Sequence, residues 1–294
     1  MRNTAQITIS NIPEISAIYF ALLQSGYDYY AMERKQDHIS YIQKYIDADN
    51  STPFFAKVKQ NTCKVYPYWP RAALLESASI FLNKETFQWY SFNEYKDFVM
   101  SAKNIQVQDR DESFWKWVQS FPIELEKIIS NDKFKQYFDW ENNWIQEQEP
   151  RYKDELLSLY NRLDFCIKHY NTQFKKVQIV LSAIKCVYSC DYHTHGENFI
   201  FSSGGFDIDA VLHEYLHHIV HPMVSQYAKI LINKNLCFDG IDSSYYLLND
   251  ENGIVNAFEE YAVRCLTESF KGGTPPTDLA KYIEELIVNL NTPR

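Results

Sequence analysis

The sequence has no basic cluster and no long apolar run, and each absence excludes a class of partner. It contains 29 basic and 38 acidic residues, a net charge of −9, so the positive surface that binds a phosphate backbone is missing. No segment approaches the run of about 18 apolar residues that a membrane helix requires. We therefore expect neither a nucleic-acid partner nor a membrane span.

The first ten residues also lack the basic segment and the apolar run that together make an export signal. The chain as given is therefore expected to be soluble and cytoplasmic. An exported protein from which a signal had been removed would give the same sequence, so both compartments stay open.

A dense cysteine framework is absent as well. The six cysteines are spread between residues 63 and 265, unlike the close spacing of a small disulfide-stapled domain. Cys186 and Cys190, followed by His193 and His195, offer donors for a second metal. Their spacing has no helical or ribbon context, so loop residues or a single disulfide is the interpretation we prefer.

The chain of 294 residues is 46% hydrophobic and is long enough to bury a large core. Apolar residues recur at helical spacing between Ile12 and Ile46, and again from Tyr152 to Tyr170. The segment from Ser91 to Glu94 is a capping box, which predicts that a helix starts there. Residues 1–172 are therefore expected to form a helical N-terminal region.

The pattern changes at Lys176, where β-branched residues begin to dominate. Two strands are predicted, at Val177–Leu181 and at Phe199–Ser202. Helices should resume at a cap formed by Asp207 or Asp209, with Pro222 ending or kinking the first of them. Three more helices are predicted, across Met223–Ile232, Asp250–Phe270 and Thr277–Leu290.

These elements predict an α+β fold that is mostly helical, with a small sheet packed against one helix. Residues 173–294 would form the second region. The two regions are either separate domains or one continuous domain.

The helix after Asp207 carries the motif His213-Glu214-Tyr-Leu-His217, which matches H-E-x-x-H. Residues four apart project from one helix face, so both imidazoles can reach one metal ion. Glu214 lies beside them, where a carboxylate can act as general base on a water molecule. The alternative is a metal-free histidine pair, which would leave buried polar groups without partners. The motif therefore predicts one zinc ion per chain.

A catalytic zinc needs a third protein ligand and an open position for water. The metzincin pattern fails, because Val220 and Met223 stand where its glycine and third histidine belong. His221 lies about 12 Å along the helix from His213, which is too far for both to bind one ion. A carboxylate from a later helix remains. Glu260 is our choice for this ligand, and Glu259 is the reserve.

This arrangement resembles the gluzincin peptidases, in which a second-helix carboxylate completes H-E-x-x-H. Phe258-Glu259-Glu260 is similar to their Asn-Glu pair, with Glu replacing Asn. The stretch Val211–Pro222 also resembles an uncharacterised bacterial gluzincin-like family with a motif close to H-E-[aromatic]-x-H-S-[aromatic]-V-N-P. The similarity extends over about Val177–Leu266. The chain departs from the pattern at His221, which replaces an Asn, and at Arg264, where several gluzincins carry a carboxylate.

The resemblance implies a zincin-like metallopeptidase domain with His213, His217 and Glu260 as zinc ligands and Glu214 as general base. The substrate would be a peptide or protein, and the resemblance places its extended chain along the segment Asn198–Ser203 as an edge strand.

The residue that stabilises the developing oxyanion is less clearly marked. Tyr245, Tyr246 and His221 are the candidates nearest in sequence to the metal helices. Arg264 is expected to pair with Glu260 four residues earlier, or else to receive a substrate carboxylate.

Two other functions fit the same motif. A zinc hydrolase of a non-peptide amide or ester would use the same ligands and the same base. A non-catalytic protein could use zinc to brace its C-terminal helices while the N-terminal half makes protein contacts. Glu214 argues against this last function, because a structural zinc site needs no base and is normally closed by four protein ligands.

Overall fold

The computed structural model of the chain describes residues 4–25, 42, 44–46, 53–58, 73–101, 111–185, 190–232 and 251–290. Three residues considered above, Cys186, Tyr245 and Tyr246, lie outside these ranges. The described parts are mostly helical and contain a four-stranded mixed sheet and a two-stranded ladder. No helix within them is both long enough and apolar enough to cross a membrane. The expectation of a mostly helical α+β fold with a small sheet is confirmed.

Among the described residues, most elements before residue 170 and after residue 207 are helices. In chain order the elements are β1 (Gln6–Ser10), α1 (Pro13–Gln24), α2 (Ala73–Ile80), β2 (Leu82–Asn83), β3 (Gln88–Trp89), α3 (Phe92–Ser101), α4 (Glu112–Gln119), α5 (Phe121–Ile129), α6 (Asp132–Gln148), a 3-10 turn (Glu149–Tyr152), α7 (Lys153–His169), β4 (Lys176–Leu181), β5 (Cys190–His195), β6 (Asn198–Ser203), α8 (Ile208–Gln226), α9 (Ala228–Ile232), α10 (Glu251–Lys271) and α11 (Leu279–Asn289).

The four-stranded sheet has the order β1-β4-β6-β5. β1 and β6 each pair with β4 in parallel, whereas β5 pairs with β6 antiparallel. The predicted strands β4 and β6 are confirmed. β1 and β5 were not predicted, and β1 lies in the region expected to be helical. The sheet thus joins the first residues of the chain to the second region, and a single apolar core extends from Ala5 to Ile287.

The prediction that Asn198–Ser203 forms an edge strand is wrong. This segment is β6, which lies between β4 and β5, so β5 is the edge strand on that side of the described sheet. The segment Cys190–His195 escaped the sequence analysis because it contains few apolar residues. Its polar side chains find buried partners instead, as described below.

Helix α8 begins where the sequence predicts it. The Asp207 side chain accepts hydrogen bonds from the backbone amides of Asp209 and Ala210, at 2.8 and 3.2 Å, which satisfies amides that the first turn leaves free. Pro222 does not end the helix, which continues to Gln226. The helix predicted over Met223–Ile232 is therefore divided between the end of α8 and the short α9.

The other predicted helix boundaries agree closely with the structure. The Ser91 hydroxyl caps α3 by accepting from the backbone amide of Glu94 at 3.2 Å. Helices α7, α10 and α11 each lie within two residues of their predicted ends.

Buried side chains along α8 fix the helix against the sheet. Tyr215 is fully buried, and its hydroxyl donates a hydrogen bond of 2.5 Å to the carbonyl oxygen of Phe174, just before β4. Val211, Leu212 and Leu216 are buried beside it. Side-chain directions on a helix repeat every 3.6 residues. Burial of this face against the sheet therefore turns the two motif histidines toward α10.

Candidate metal centre

The two motif histidines lie side by side on α8, and both are partly buried. The Nε2 atoms of His213 and His217 are 3.3 Å apart. This is the convergence that a spacing of four residues predicts for two imidazoles on one helical face. Two ring nitrogens therefore point at a common position.

Glu260, which is predicted from the sequence to be the third ligand, reaches the same position from α10. Its Oε2 atom lies 3.5 Å from His213 Nε2 and 3.4 Å from His217 Nε2. Three donor atoms thus form a nearly equilateral triangle. Bond lengths of about 2.0–2.2 Å to a tetrahedral zinc require donor separations of roughly 3.3–3.6 Å, so the triangle has the dimensions that such an ion needs.

Arg264 fixes the orientation of the Glu260 carboxylate. Its Nε atom donates to Glu260 Oε1 at 2.7 Å, which leaves Oε2 for the histidines. The predicted pairing of these two residues is confirmed. Burial alone would raise the pKa of Glu260, but hydrogen bonds from His213 and His217 outweigh it and hold the pKa far below its usual range. The carboxylate is therefore charged.

Glu259, the reserve ligand, faces the other nitrogen of the same histidine. Its Oε1 atom lies 2.8 Å from His217 Nδ1, and its Oε2 atom lies 2.6 Å from His221 Nδ1. Adjacent residues on a helix point about 100° apart, so only one of the two glutamates can join the triangle. Glu259 instead orients the imidazole of His217.

The surroundings favour a cation. Burial would lower the pKa of His217, but hydrogen bonds to Glu259 and Glu260 raise it to about 10. The carboxylate of Glu214 also lies close enough to act on His217. Three carboxylates around the two histidines create a negative potential that a divalent ion would neutralise.

Glu214 lies outside the triangle, as a general base should. Its Oε1 atom accepts a hydrogen bond of 3.4 Å from the Cys190 thiol on β5. Burial raises the pKa of Glu214, although His217 and His213 act in the opposite direction. A carboxyl group with a raised pKa is better suited to take and return a proton near neutral pH.

The second metal site considered for the cysteine-histidine segment finds no support in the described residues. His193 is buried, and its Nε2 atom lies 3.1 Å from Glu76 Oε2, while Cys190 contacts Glu214. In the described parts of the chain, the group of His213, His217 and Glu260 is the one whose donor atoms converge closely enough for a metal.

A buried ionic cluster accounts for the polar residues of β5. Lys185 is 1% exposed, and its ammonium donates to Glu76, Asp191 and Ser202 at 2.7, 2.6 and 2.8 Å. The Tyr19 hydroxyl donates to the same Glu76 carboxylate. Burial alone would raise the pKa of Glu76, but Lys185 and His193 lower it well below its usual range.

One aromatic residue near the triangle was missed in the sequence. Tyr192 on β5 has its ring centroid 6.5 Å from that of His217, with the two rings nearly parallel. Among 22 tyrosines, Tyr192 carried no motif that could have marked it. Only the strand pairing brings it to α8.

His221, a candidate for oxyanion stabilisation, is held through Nδ1 by Glu259 and is 38% exposed on its side chain. The other two candidates, Tyr245 and Tyr246, lie outside the described residues.

Comparison of the chain with protein-family models, with curated proteins and with solved structures finds no match.

Proposed function

We propose that this protein is a zinc metallopeptidase of the gluzincin type, with a zincin-like catalytic domain. The observation that carries the proposal is the triangle of His213, His217 and Glu260, whose donor separations of 3.3, 3.5 and 3.4 Å match a tetrahedral zinc with one position left open. Two imidazole nitrogens and one carboxylate oxygen are a donor set typical of catalytic zinc.

A bound zinc ion would supply Lewis acidity, lowering the pKa of a water molecule and polarising the substrate carbonyl. Glu214 would take a proton from the attacking water as the water oxygen bonds to the carbonyl carbon. The same carboxyl group would then give that proton to the departing nitrogen as the C–N bond breaks. The reaction consumes one water and yields a carboxylic acid and an amine.

Two features favour an enzyme over a zinc-braced structural protein. Three ligands leave a coordination position open, whereas structural zinc sites are normally closed by four. Glu214 has a partly buried carboxyl group beside that position and is not itself one of the three donors. A structural zinc site has no use for such a group. Hydrolysis of a non-peptide amide or ester would use the same groups, so the choice of a peptide substrate rests on the resemblance to gluzincins.

The edge position of β5 favours a peptide as the substrate. An extended chain can add to a free strand edge through backbone hydrogen bonds. β5 is an edge of the described sheet, and its Cys190 contacts Glu214. A peptide paired along β5 would therefore pass beside the general base. This role was assigned to β6 from the sequence and moves to β5.

Zinc content measured together with peptidase activity tests the proposal. The wild-type chain should bind one zinc ion and cleave fluorescein-labelled casein, and chelation should stop cleavage. In Glu260→Gln the third ligand loses its charge, so we expect zinc to be lost or bound at least about 10-fold more weakly. Glu268→Gln on the same helix is the matched control, because its 68% exposed side chain is remote from the triangle; it should bind zinc as the wild type does.

Failure of the wild-type chain to bind zinc from excess metal would overturn the proposal. Zinc binding without cleavage of casein would support the metal site but would exclude a general peptidase. Equal zinc affinity in Glu260→Gln and Glu268→Gln would remove Glu260 from the ligand set.

A separate prediction concerns Glu259. Carboxylates that hold the second nitrogen of a ligand histidine typically strengthen metal binding about 10- to 100-fold. Glu259→Gln keeps the side-chain volume but loses the charge that holds His217 Nδ1, so zinc affinity should fall about 10-fold. Competition with a chromophoric chelator measures the change. Unaltered affinity would show that His217 is positioned by packing alone.

A further inference from the structure

Strand β5 has two different faces. Alternate residues of a strand point to opposite sides of the sheet. Asp191 and His193 point to the side where Lys185 and Glu76 are buried, and bind them at 2.6 and 3.1 Å. Cys190 and Tyr192 therefore point to the side of α8. The buried ions fix the strand from one side, so the other side is presented to the metal centre in a defined position.

Ring contacts hold Tyr192 in place on that side. Its ring is stacked on Phe199 at 5.6 Å with an interplanar angle of 15°, and it meets His218 edge-on at 5.0 Å. Phe199 is fully buried. Tyr192 nevertheless stays 36% exposed. Its ring is thus immobilised by two neighbours while part of the side chain remains accessible, as a preorganised contact to a ligand requires.

The Tyr192 hydroxyl makes no hydrogen bond within the described residues. A tyrosine hydroxyl held in a packed position usually finds a partner. The Tyr192 ring lies nearly parallel to that of His217, with the centroids 6.5 Å apart, which places the phenol beside the candidate metal centre. Among the described residues, the hydroxyl is thus a free donor beside the proposed general base.

Two other described candidates for a donor already hold carboxylates. His221 uses Nδ1 to bind Glu259 at 2.6 Å, and Arg264 binds Glu260 at 2.7 Å. Hydrolysis of an amide places negative charge on the former carbonyl oxygen, and a donor aimed at that oxygen is a major source of catalysis. Tyr192 is the described residue that combines a fixed ring, a free hydroxyl and a place beside the metal helix.

We propose that Tyr192 is a catalytic residue whose hydroxyl donates a hydrogen bond to the substrate oxygen that becomes negatively charged as water attacks. No proton is transferred in this step, because the phenol donates a hydrogen bond only. The assignment rests on the proposed hydrolytic function and extends it by giving the edge strand a chemical role.

The test compares Tyr192→Phe with the wild type and with Tyr90→Phe. Tyr192→Phe keeps the ring and its packing, so thermal unfolding and zinc content should not change. We expect kcat to fall about 100-fold with little change in KM, as for loss of one oxyanion donor. Tyr90 is 70% exposed, and Tyr90→Phe should behave as the wild type.

A binding measurement gives a readout that does not depend on turnover. Acetohydroxamic acid presents a carbonyl oxygen to zinc and can be titrated by calorimetry into the zinc-loaded protein. Its affinity should fall about 10-fold in Tyr192→Phe, the effect of losing a hydrogen bond to a charged or polarised oxygen.

The outcomes separate the two proposals. Wild-type kcat and wild-type hydroxamate affinity in Tyr192→Phe, with activity still lost on chelation, would overturn the role of Tyr192 and leave the hydrolase. Failure of the wild type to bind zinc would overturn both. A rise in KM at constant kcat would identify Tyr192 as a substrate-binding residue and reject its role in the transition state.

Discussion

Replacement of Glu214 by Gln should lower kcat by about 10²- to 10⁴-fold, the usual contribution of a general base. The amide has nearly the same shape as the carboxylate but cannot take a proton from water. Glu214 is not one of the three converging donors, so the variant should bind one zinc ion with an affinity close to that of the wild type. Casein cleavage and zinc content, measured on the same sample, test both halves of this expectation.

The separation of activity from metal content makes the Glu214 experiment decisive. Glu260→Gln should lose zinc and activity together, whereas Glu214→Gln should lose activity alone. If Glu214→Gln retained more than about a tenth of wild-type kcat, Glu214 would not be the base. If it lost zinc, Glu214 would belong to the ligand set, and the open coordination position would need another explanation.

The candidate metal centre could be predicted from the sequence because its main part is local. His213 and His217 are separated by one helical turn, so their convergence follows from helix geometry alone. Glu260 was found because a second carboxylate-bearing helix was expected, and its predicted pairing with Arg264 is also local. Glu259 could not be assigned, since the contact of its carboxylate with His217 and His221 depends on the rotation of α10 about its axis.

The contributions of the sheet to the site could not be predicted, because strand order is a long-range property. The alternating pattern of β1 spans only five residues next to a helix, whereas β5 carries too few apolar residues to stand out from a loop and is stabilised by ion pairs with Lys185 and Glu76. Two consequences followed for the site. The sequence predicts β6 as an edge strand although β5 covers it, and it does not link Tyr192 or Cys190 to the motif helix.

The buried cluster behind β5 leads to a large expected effect on stability. Lys185 and Glu76 are essentially unexposed, and Lys185→Met would leave the Glu76 carboxylate in the core without its cation. Removing one partner of a buried ion pair typically destabilises a protein by about 3–5 kcal/mol. Urea unfolding should show a loss of this size, whereas Lys281→Met, at an exposed ion pair with Glu285, should change stability by less than about 0.5 kcal/mol.

The double variant Glu76→Gln with Lys185→Met separates the two origins of that loss. If the loss arises from an uncompensated buried charge, removing the second charge should restore much of the stability, because neutral replacements of buried ion pairs are often well tolerated. If the double variant is no more stable than Lys185→Met, the ammonium acts mainly through Asp191 and Ser202, to which it donates at 2.6 and 2.8 Å. In both cases β5 brings Cys190 to Glu214 and Tyr192 to α8, so loosening of this cluster should lower the proposed activity before the proposed zinc ligands are disturbed.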